Sequence, residues 1–318
     1  MLNIESILYG IRIFQYNLNM SNDEIIKFEC PKFTMFNCDC SDALSSIDSN
    51  SIDLVVTDPP YFIDGMGDDW NDSNLHGKMK NGVVGGLPVG MKFDPNQGKN
   101  LQKFITPIAS ELFRVLKPGG FCVVFSQARL YHRMAIPFED AGFEIRDMMG
   151  WKYEGQAKAF SQDHFIRKRK DLSDSEKDNL ISSMSGWKTP QLKPQIEPMV
   201  LAQKPKEGTF VDNWVKHGVG LMNTNESLDG MFPGNIMEVS KHERRNDSDF
   251  KVEHLTVKPL RLIEHIIKLF TREGQVVLDP FSGSGSHGVS AVKNGRKFIG
   301  MEIEPKYYEI CLRRLLNQ

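Results

Sequence analysis

The sequence carries no excess of charge of either sign: 39 lysines and arginines stand against 41 aspartates and glutamates. A nucleic-acid partner would therefore have to be met by a local basic patch, not by the field of the whole chain. Cysteine is scarce and odd in number, five in all, with no Cys-x-x-Cys pair. That excludes a disulfide framework and a zinc ribbon. Cys38 and Cys40, one residue apart, suit a strand better than a metal-ligand pair. Histidines, cysteines and carboxylates cluster nowhere at metal spacing, so no metal is expected. No apolar run approaches membrane length and no signal-peptide pattern opens the chain. A protein of the reducing interior, away from the membrane, is the expectation. With 318 residues and 40% hydrophobic content, there is enough for one large core, as one domain or one domain with an insertion.

What is present is organised around Ser51-Ile52-Asp53-Leu54-Val55-Val56-Thr57-Asp58-Pro59-Pro60-Tyr61. Leu54 to Thr57 has the composition of a strand buried on both faces. The two prolines end it, since neither can donate to a sheet ladder. A carboxylate, Asp58, and a ring, Tyr61, are thereby delivered at the strand's carboxyl end, where open α/β sheets bind ligands. Asp58 and the Pro59 carbonyl could accept the two hydrogens of an amino group on a flat heterocycle, with Tyr61 stacked on its face.

The rest alternates. Residues 1–32 read as an extension packed on the domain. Phe33 to Phe36 reads as a strand, followed by a short helix capped by Ser41. Residues 62–100, rich in Gly, Asn and Asp, have no period and read as a lid. Ile105, Ile108, Ala109, Leu112 and Leu116 mark a helix ended by Lys117-Pro118-Gly119-Gly120, before a strand at Phe121 to Phe125. A helix from Tyr131 to Ala141 and a strand from Phe143 to Met148 follow. Between Trp151 and Gln195 the pattern breaks down. The run Arg167 to Lys170 is followed at once by acidic residues and reads as a solvated face, and Trp187 suits a core or a base-stacking role equally. Pro198 to Ala202 reads as a strand, and residues 206–253 as loops. Ile263, Ile266, Ile267 and Phe270 mark a helix with Pro259 near its first turn. Val276 to Leu278, a helix to Asn294, Phe298 to Glu302, and a last helix striped by Tyr308, Cys311, Leu312 and Leu315 complete the chain. Alternation of this kind means a doubly wound, largely parallel α/β sheet.

A second half-site lies near the end. Gly283-x-Gly285-x-x-Gly288 has the form of a dinucleotide fingerprint, and Glu302, ending the next strand, could accept both hydroxyls of a ribose. To that point NAD and other adenosine ligands fit equally. Asp279 separates them, because a carboxylate at the mouth of the turn repels a pyrophosphate and welcomes a cationic α-amino group. S-adenosylmethionine has the amino group and the ribose. A doubly wound sheet also needs a strand beyond that of Glu302, yet the chain ends at Gln318. The region of Phe33 to Asp39 is the candidate, making the sheet circularly permuted with Asp39 beside the adenine of the cofactor.

Together these residues resemble the amino-methyltransferases of DNA, in the β-class permutation that places the catalytic motif first. Asp58-Pro59-Pro60-Tyr61 is similar to the catalytic motif, Asp279-Pro280-Phe281-x-Gly283-x-Gly285 to the cofactor motif, and Gly300-x-Glu302 to the ribose-binding one. His254-Leu255-Thr256-Val257-Lys258-Pro259 resembles a His-Pro-Thr-x-Lys-Pro segment that packs on the cofactor, with Leu255 in place of proline. Tyr131-His132-Arg133-Met134 and Lys193-Pro194-x-x-Glu197-Pro198 resemble a phage and prophage branch of site-specific adenine enzymes. The resemblance implies a Rossmann-like methyltransferase domain over 33–153 and 197–318. It implies a target-recognition, DNA-binding region over 154–196 with the loops 62–100 and 206–253. Asp58, Pro59, Pro60 and Tyr61 would be catalytic. The cofactor, leaving as S-adenosylhomocysteine, would meet Asp39, Cys40, Asp58, Thr256, Lys258, Asp279, Pro280, Phe281, Gly283, Ser284, Gly285, Ser286, Glu302 and Ile303. The partner would be double-stranded DNA, in the cytoplasm of a prokaryote or phage-infected host, with a homodimer left open. Asp in the first catalytic position, in place of Ser, favours the 6-amino group of a flipped-out adenine. The alternatives are the 4-amino group of cytosine, an RNA-directed relative, or a non-catalytic cofactor-binding subunit of a modification complex. Cytosine-5 chemistry would need a cysteine in a Pro-Cys setting, and Cys122 follows Phe121. His254 and His287 read as hydrogen-bonded structural histidines.

Overall fold

The computed structural model describes residues 13–16, 25–60, 83–84, 87–88, 95–157, 159–241, 243 and 257–318. In chain order they form β1 (Ile13–Tyr16), β2 (Ile25–Glu29), β3 (Phe33–Asn37), α1 (Cys40–Leu44), β4 (Ile52–Thr57), β5 (Val83–Val84) and β6 (Leu87–Pro88). Then come α2 (Gln97–Val115), β7 (Leu116–Phe125), α3 (Tyr131–Asp140), β8 (Glu144–Lys152), α4 (Asp163–Arg167), α5 (Asp174–Ser183) and β9 (Ile196–Gln203). The last are α6 (Phe210–His217), β10 (Ile236–Glu238), α7 (Leu260–Phe270), β11 (Val276–Asp279), α8 (Ser286–Lys293), β12 (Lys297–Met301) and α9 (Pro305–Leu316). Two compact units are present. One comprises Met1–Tyr61, Gly98–Tyr153 and Ile196–Gln318, the other Phe62–Gln97 and Glu154–Gln195.

The first unit is built on a ten-stranded sheet in the order β1-β2-β3-β12-β11-β4-β7-β9-β8-β10. The run from β3 to β7 is parallel throughout. Beyond it β9 runs antiparallel to both β7 and β8, and β2 antiparallel to β3. Every residue of β4 is buried, as the apolar run requires of a strand covered on both faces. Helix α7 buries eight of its eleven residues, and α8 seven of its eight; each large aliphatic side chain so covered contributes about 1.5–3 kcal/mol. From β11 the chain goes to β12 on one side, while β4 leads to β7 on the other. The switch point where ligands bind in such sheets therefore falls between β4 and β11.

The strand sought beyond Glu302 is β3, which pairs in parallel with β12 from Phe33↔Phe298 to Phe36↔Met301. Other expectations are corrected. Residues 25–29, read as part of an extension, are a sheet strand paired with β3. Helix α1 is capped by Asp39, whose side chain accepts from the Ser41 N–H at 2.8 Å, and not by Ser41. Cys40 opens that helix and does not lie in a strand. Lys117-Pro118-Gly119-Gly120 does not close α2. Leu116 is already paired with Ile52, and the four residues form an irregular stretch of β7 across a register slip. Helices α4, α5 and α6 lie where no helix was expected, and the last two are capped alike. Each of these two opens on a reciprocal capping box, Ser173 with Glu176 and Thr209 with Asp212.

The second unit contains the β5–β6 pair, α4 and α5. Most of residues 62–96, read as a lid, lie outside the described residues.

Candidate active site

Parallel pairing of Leu278 with Val55 brings the carboxyl ends of β11 and β4 side by side. Thr57, the last residue of β4, donates its hydroxyl to Asp279 Oδ1 at 2.6 Å. Asp58 follows Thr57 directly, so the residues read from sequence as two half-sites meet at one edge of one sheet. Pro59 is buried and Pro60 half-buried. Tyr61 and Thr256 lie outside the described residues.

At β4 the Asp58 carboxylate bonds the ammonium of Lys258. That ammonium also pairs with Glu197 Oε1 at 2.8 Å and sits 4.8 Å from the centre of the Phe125 ring. The lysine side chain is 5% exposed. Burial pushes it toward the neutral form, but the two carboxylates outweigh burial and hold it above the ordinary lysine range. Lys258, expected against a cofactor, is thus anchored on the Asp58 carboxylate. Glu197 comes from the start of β9, and Phe125 from the end of β7. Neither was singled out from sequence as a site residue. The Lys-Pro-x-x-Glu-Pro segment was the one available signal for Glu197.

At β11 the Asp279 carboxylate is fully buried. Its Oδ1 accepts from Thr57 and from the Phe281 N–H at 3.0 Å, and its Oδ2 lies 2.6 Å from His287 Nδ1. The carboxylate expected to meet a cationic amino group is therefore turned inward, where three protein groups fill its oxygens and fold the turn around it. Its negative charge still stands beside the helix N-terminus and disfavours a pyrophosphate there. His287 is hydrogen-bonded, in keeping with a structural histidine.

The glycine turn is shaped as much by packing as by ligand access. Gly285 has φ +87°, and a Cβ there would come within 2.6 Å of Cys311 Sγ on α9. Arg314 of α9, buried, donates to the Ser284 carbonyl at 2.5 Å. Pro280 is buried, and the Phe281 ring lies 5.9 Å from that of Phe104. Glu302, just past β12, accepts from the Gly283 N–H at 2.7 Å and from the Glu304 N–H at 2.8 Å. Burial pushes its carboxyl up to about 7, against the lowering effect of these two bonds; the charges of Asp279 and Glu304 add to the rise. Asn37 ties the backbone here by donating to the carbonyls of Glu302 and Ile303 at 2.8 and 3.1 Å. Ile303 is 60% exposed, a large apolar side chain left uncovered beside the ribose-binding candidate. Cys40 is buried, and burial with the charge of Asp39 pushes its thiol up to about 12, so it offers no thiolate. An open cleft of about 390 Å³ lies beside α1, lined by Ser41, Asn100, Lys103, Phe104, Pro107 and Ile108.

Two buried polar atoms at the head of α8, Ser286 Oγ and His287 Nε2, have no hydrogen-bond partner among the described residues. Buried polar atoms are rarely left unpaired. With the Glu302 carboxyl and the exposed Ile303, they fit an adenosyl ligand whose amino-acid end approaches the turn. Among the described residues no group of three or more His, Cys, Asp or Glu is placed to hold a metal ion.

Comparison with known proteins adds to this geometry. A DNA methylase family profile matches residues 52–313. The chain is 32% identical over 306 residues to the Type II methyltransferase M.HindIII of Haemophilus influenzae, covering 88% of this chain and 94% of that protein. It is 25% identical over 286 residues to the DNA adenine methyltransferase YhdJ of Escherichia coli, covering 89% and 82%. Among solved structures, the cytosine-N4-specific PvuII DNA methyltransferase superposes with a TM-score of 0.57 at 18% identity, over 89% of this chain and 86% of that one. The M1.HpyAVI–SAM complex does so with 0.51 at 18%, over 89% and 100%. At those identities the two structures speak to the fold.

Proposed function

The chain belongs to the DNA methylase family, and from that premise we propose that it transfers a methyl group from S-adenosylmethionine to the 6-amino group of an adenine within a specific DNA sequence, as the modifying enzyme of a restriction–modification system or a phage. The observation that carries the reading is the Thr57–Asp279 bond. It supports the reading because Asp58 follows Thr57 directly, so the amino-group acceptor and the cofactor turn lie at the carboxyl ends of neighbouring strands.

An amino nitrogen inside a stacked pair cannot reach a methyl donor, so the target base must leave the helix. Asp58 and the Pro59 carbonyl then accept the two amino hydrogens and turn the nitrogen lone pair toward the donor. When bound, S-adenosylmethionine would supply the methyl group from its sulfonium, the carbon–sulfur bond giving way to the new carbon–nitrogen bond. Glu302 would receive the ribose hydroxyls, and Ser286 at the head of α8 would meet the amino-acid end. The amino nitrogen becomes positive as it is methylated, and the Asp58 carboxylate both stabilises that charge and stands ready for the departing proton. Catalysis here is orientation and electrostatics. No thiol takes part: Cys122 is fully buried and burial pushes it well above the ordinary thiol range.

Adenine is preferred over cytosine because Asp stands first in the catalytic motif, and the adenine-specific relative supports the choice. Residues 154–196, with 62–100 and 206–253, are the proposed target-recognition region on double-stranded DNA. Purified protein incubated with mixed-sequence DNA and methyl-labelled cofactor, followed by digestion to nucleosides, tests the reading. N6-methyldeoxyadenosine is expected; N4-methyldeoxycytidine would move the assignment to cytosine, and absence of any transfer would leave a non-catalytic subunit. Asp58→Ala should abolish transfer while cofactor affinity stays within about twofold, since that carboxylate faces the base.

A further inference from the structure

Trp187 is no core residue: it is 75% exposed. Leu192, 93% exposed, and Phe165, 44% exposed, belong to the same compact unit. Single apolar side chains on a surface need no explanation, but several large ones within one small unit mark a contact surface. Gly186, with φ +83°, turns the chain out of α5, and the Trp187 N–H closes that turn on the Met184 carbonyl at 3.0 Å. The indole is thereby held out in solvent by an ordered backbone.

The fold also sorts the charges around it. Asp178 pairs with Arg167 at 2.6 Å, Asp171 with Arg169, and Asp174 with Lys177 at 3.1 Å. Glu176 is taken up in the capping box of α5. The acidic residues that follow the basic run thus neutralise its two arginines and leave its two lysines. Lys168 and Lys170 are exposed, as are Lys188 and Lys193, and none of the four pairs with a carboxylate among the described residues. Two hydrogen bonds join the segments that carry them. The Thr189 N–H donates to the Phe160 carbonyl at 3.1 Å, and the Phe160 N–H to Thr189 Oγ1 at 3.2 Å. The Phe160 ring in turn lies 6.2 Å from that of Phe165 on α4. The stretch of Trp187 and Lys188 is therefore tied to α4, and Lys168 and Lys170 follow at the end of that helix.

Unpaired cations on both sides of an exposed indole suit a polyanion that carries flat rings between its charges. We propose that this face of the second unit contacts double-stranded DNA: Lys168, Lys170, Lys188 and Lys193 meet backbone phosphates, and Trp187 sets its ring against the bases beside them. The proposal rests on the DNA-methyltransferase reading and names, within the target-recognition region, the side chains that touch the duplex. Phosphate contacts fix register and orientation and carry no sequence information directly. The indole adds an apolar contact, of the kind that wedges between base steps where a duplex is opened or bent.

The test is the affinity of the full chain for a short fluorescent duplex of random sequence, followed by anisotropy from about 50 to 200 mM salt. The slope of log affinity against log salt should fall by about 2 in Lys168→Gln/Lys170→Gln, and by as much in Lys188→Gln/Lys193→Gln, at about 0.9 per phosphate contact. Lys168→Arg/Lys170→Arg should keep the wild-type slope. Trp187→Ala should weaken binding about tenfold with the slope unchanged, and Trp187→Phe should remove the share of tryptophan emission that the duplex quenches. All these positions are exposed, so thermal midpoints should stay at the wild-type value. A wild-type slope in both lysine-to-glutamine pairs overturns the proposal. So does full quenching in Trp187→Phe beside wild-type affinity in Trp187→Ala, and so do slope losses seen with single-stranded RNA but not with the duplex. Methyl transfer to DNA by the unaltered chain, beside unchanged slopes in the variants, removes the present inference alone. Failure of the unaltered chain to bind duplex or to transfer removes the methyltransferase reading with it.

Discussion

Glu302 illustrates how one side chain serves two protonation states. Its carboxyl, pushed up to about 7 by burial, carries a proton through a good part of the mildly acidic range. A ribose diol needs a carboxylate that accepts, so binding releases the proton where it is present. Cofactor affinity, measured by calorimetry, should therefore rise with pH up to about 7 and level off above it. Glu302→Gln should bind roughly tenfold to a hundredfold more weakly, and its affinity should not follow pH in this window. The sign for stability is opposite. A carboxyl raised above its unfolded value of 4.5 favours the folded state below that pH, and the contribution is lost as pH rises toward about 7. Thermal midpoints of the cofactor-free protein should fall across that window by more in the wild type than in Glu302→Gln.

Between elements, the sheet is held at the edge away from the site by another buried carboxylate. Asp53, 2% exposed, accepts from Lys117 at 2.6 Å, from Gln275 at 3.1 Å and from the Val276 N–H at 2.8 Å, joining β4, β7 and β11. Asp53→Ala leaves those donors without an acceptor and should lower unfolding free energy by about 3 kcal/mol in urea titration. The head of α8 depends on a different constraint. Gly285→Ala meets a left-handed backbone and Cys311 Sγ at 2.6 Å. The backbone costs about 1–2 kcal/mol and overpacking about 1–3 kcal/mol. Expected are a lower denaturation midpoint and weaker cofactor binding together, since α9 can no longer close on the turn. Helices α5 and α6 were legible in principle, because Ser173-x-x-Glu176 and Thr209-x-x-Asp212 are capping boxes. Helix α5 carries too little apolar periodicity to outweigh the surrounding loop composition, whereas α6, short and set in a loop-rich stretch, has Phe210, Val211, Trp214 and Val215 at helical spacing, a pattern the reading passed over.

For the molecule as a whole, one genome-scale outcome joins fold, chemistry and specificity. DNA from cells expressing this protein, read by long-read sequencing, should carry N6-methyladenine in a single short context, and cells expressing Asp58→Ala should not. Which context that is depends on side chains facing base edges, for which sequence offers no code.

The sequence by itself determined the strands with unbroken apolar runs, their alternation with helices, the place of β3 beyond β12 and the motifs of both proposed half-sites. Each depends on residues close together in the chain: period, proline stops and glycine turns act locally. The tertiary structure alone decided which side chains those half-sites would present. It turned Asp279 inward onto Thr57, Phe281 and His287, and it drew Lys258 and Glu197 to Asp58 across 200 and 139 residues of chain. Contacts between charges so far apart in sequence follow from strand order and register, which place them at one edge, and from burial, which forces each to find a partner.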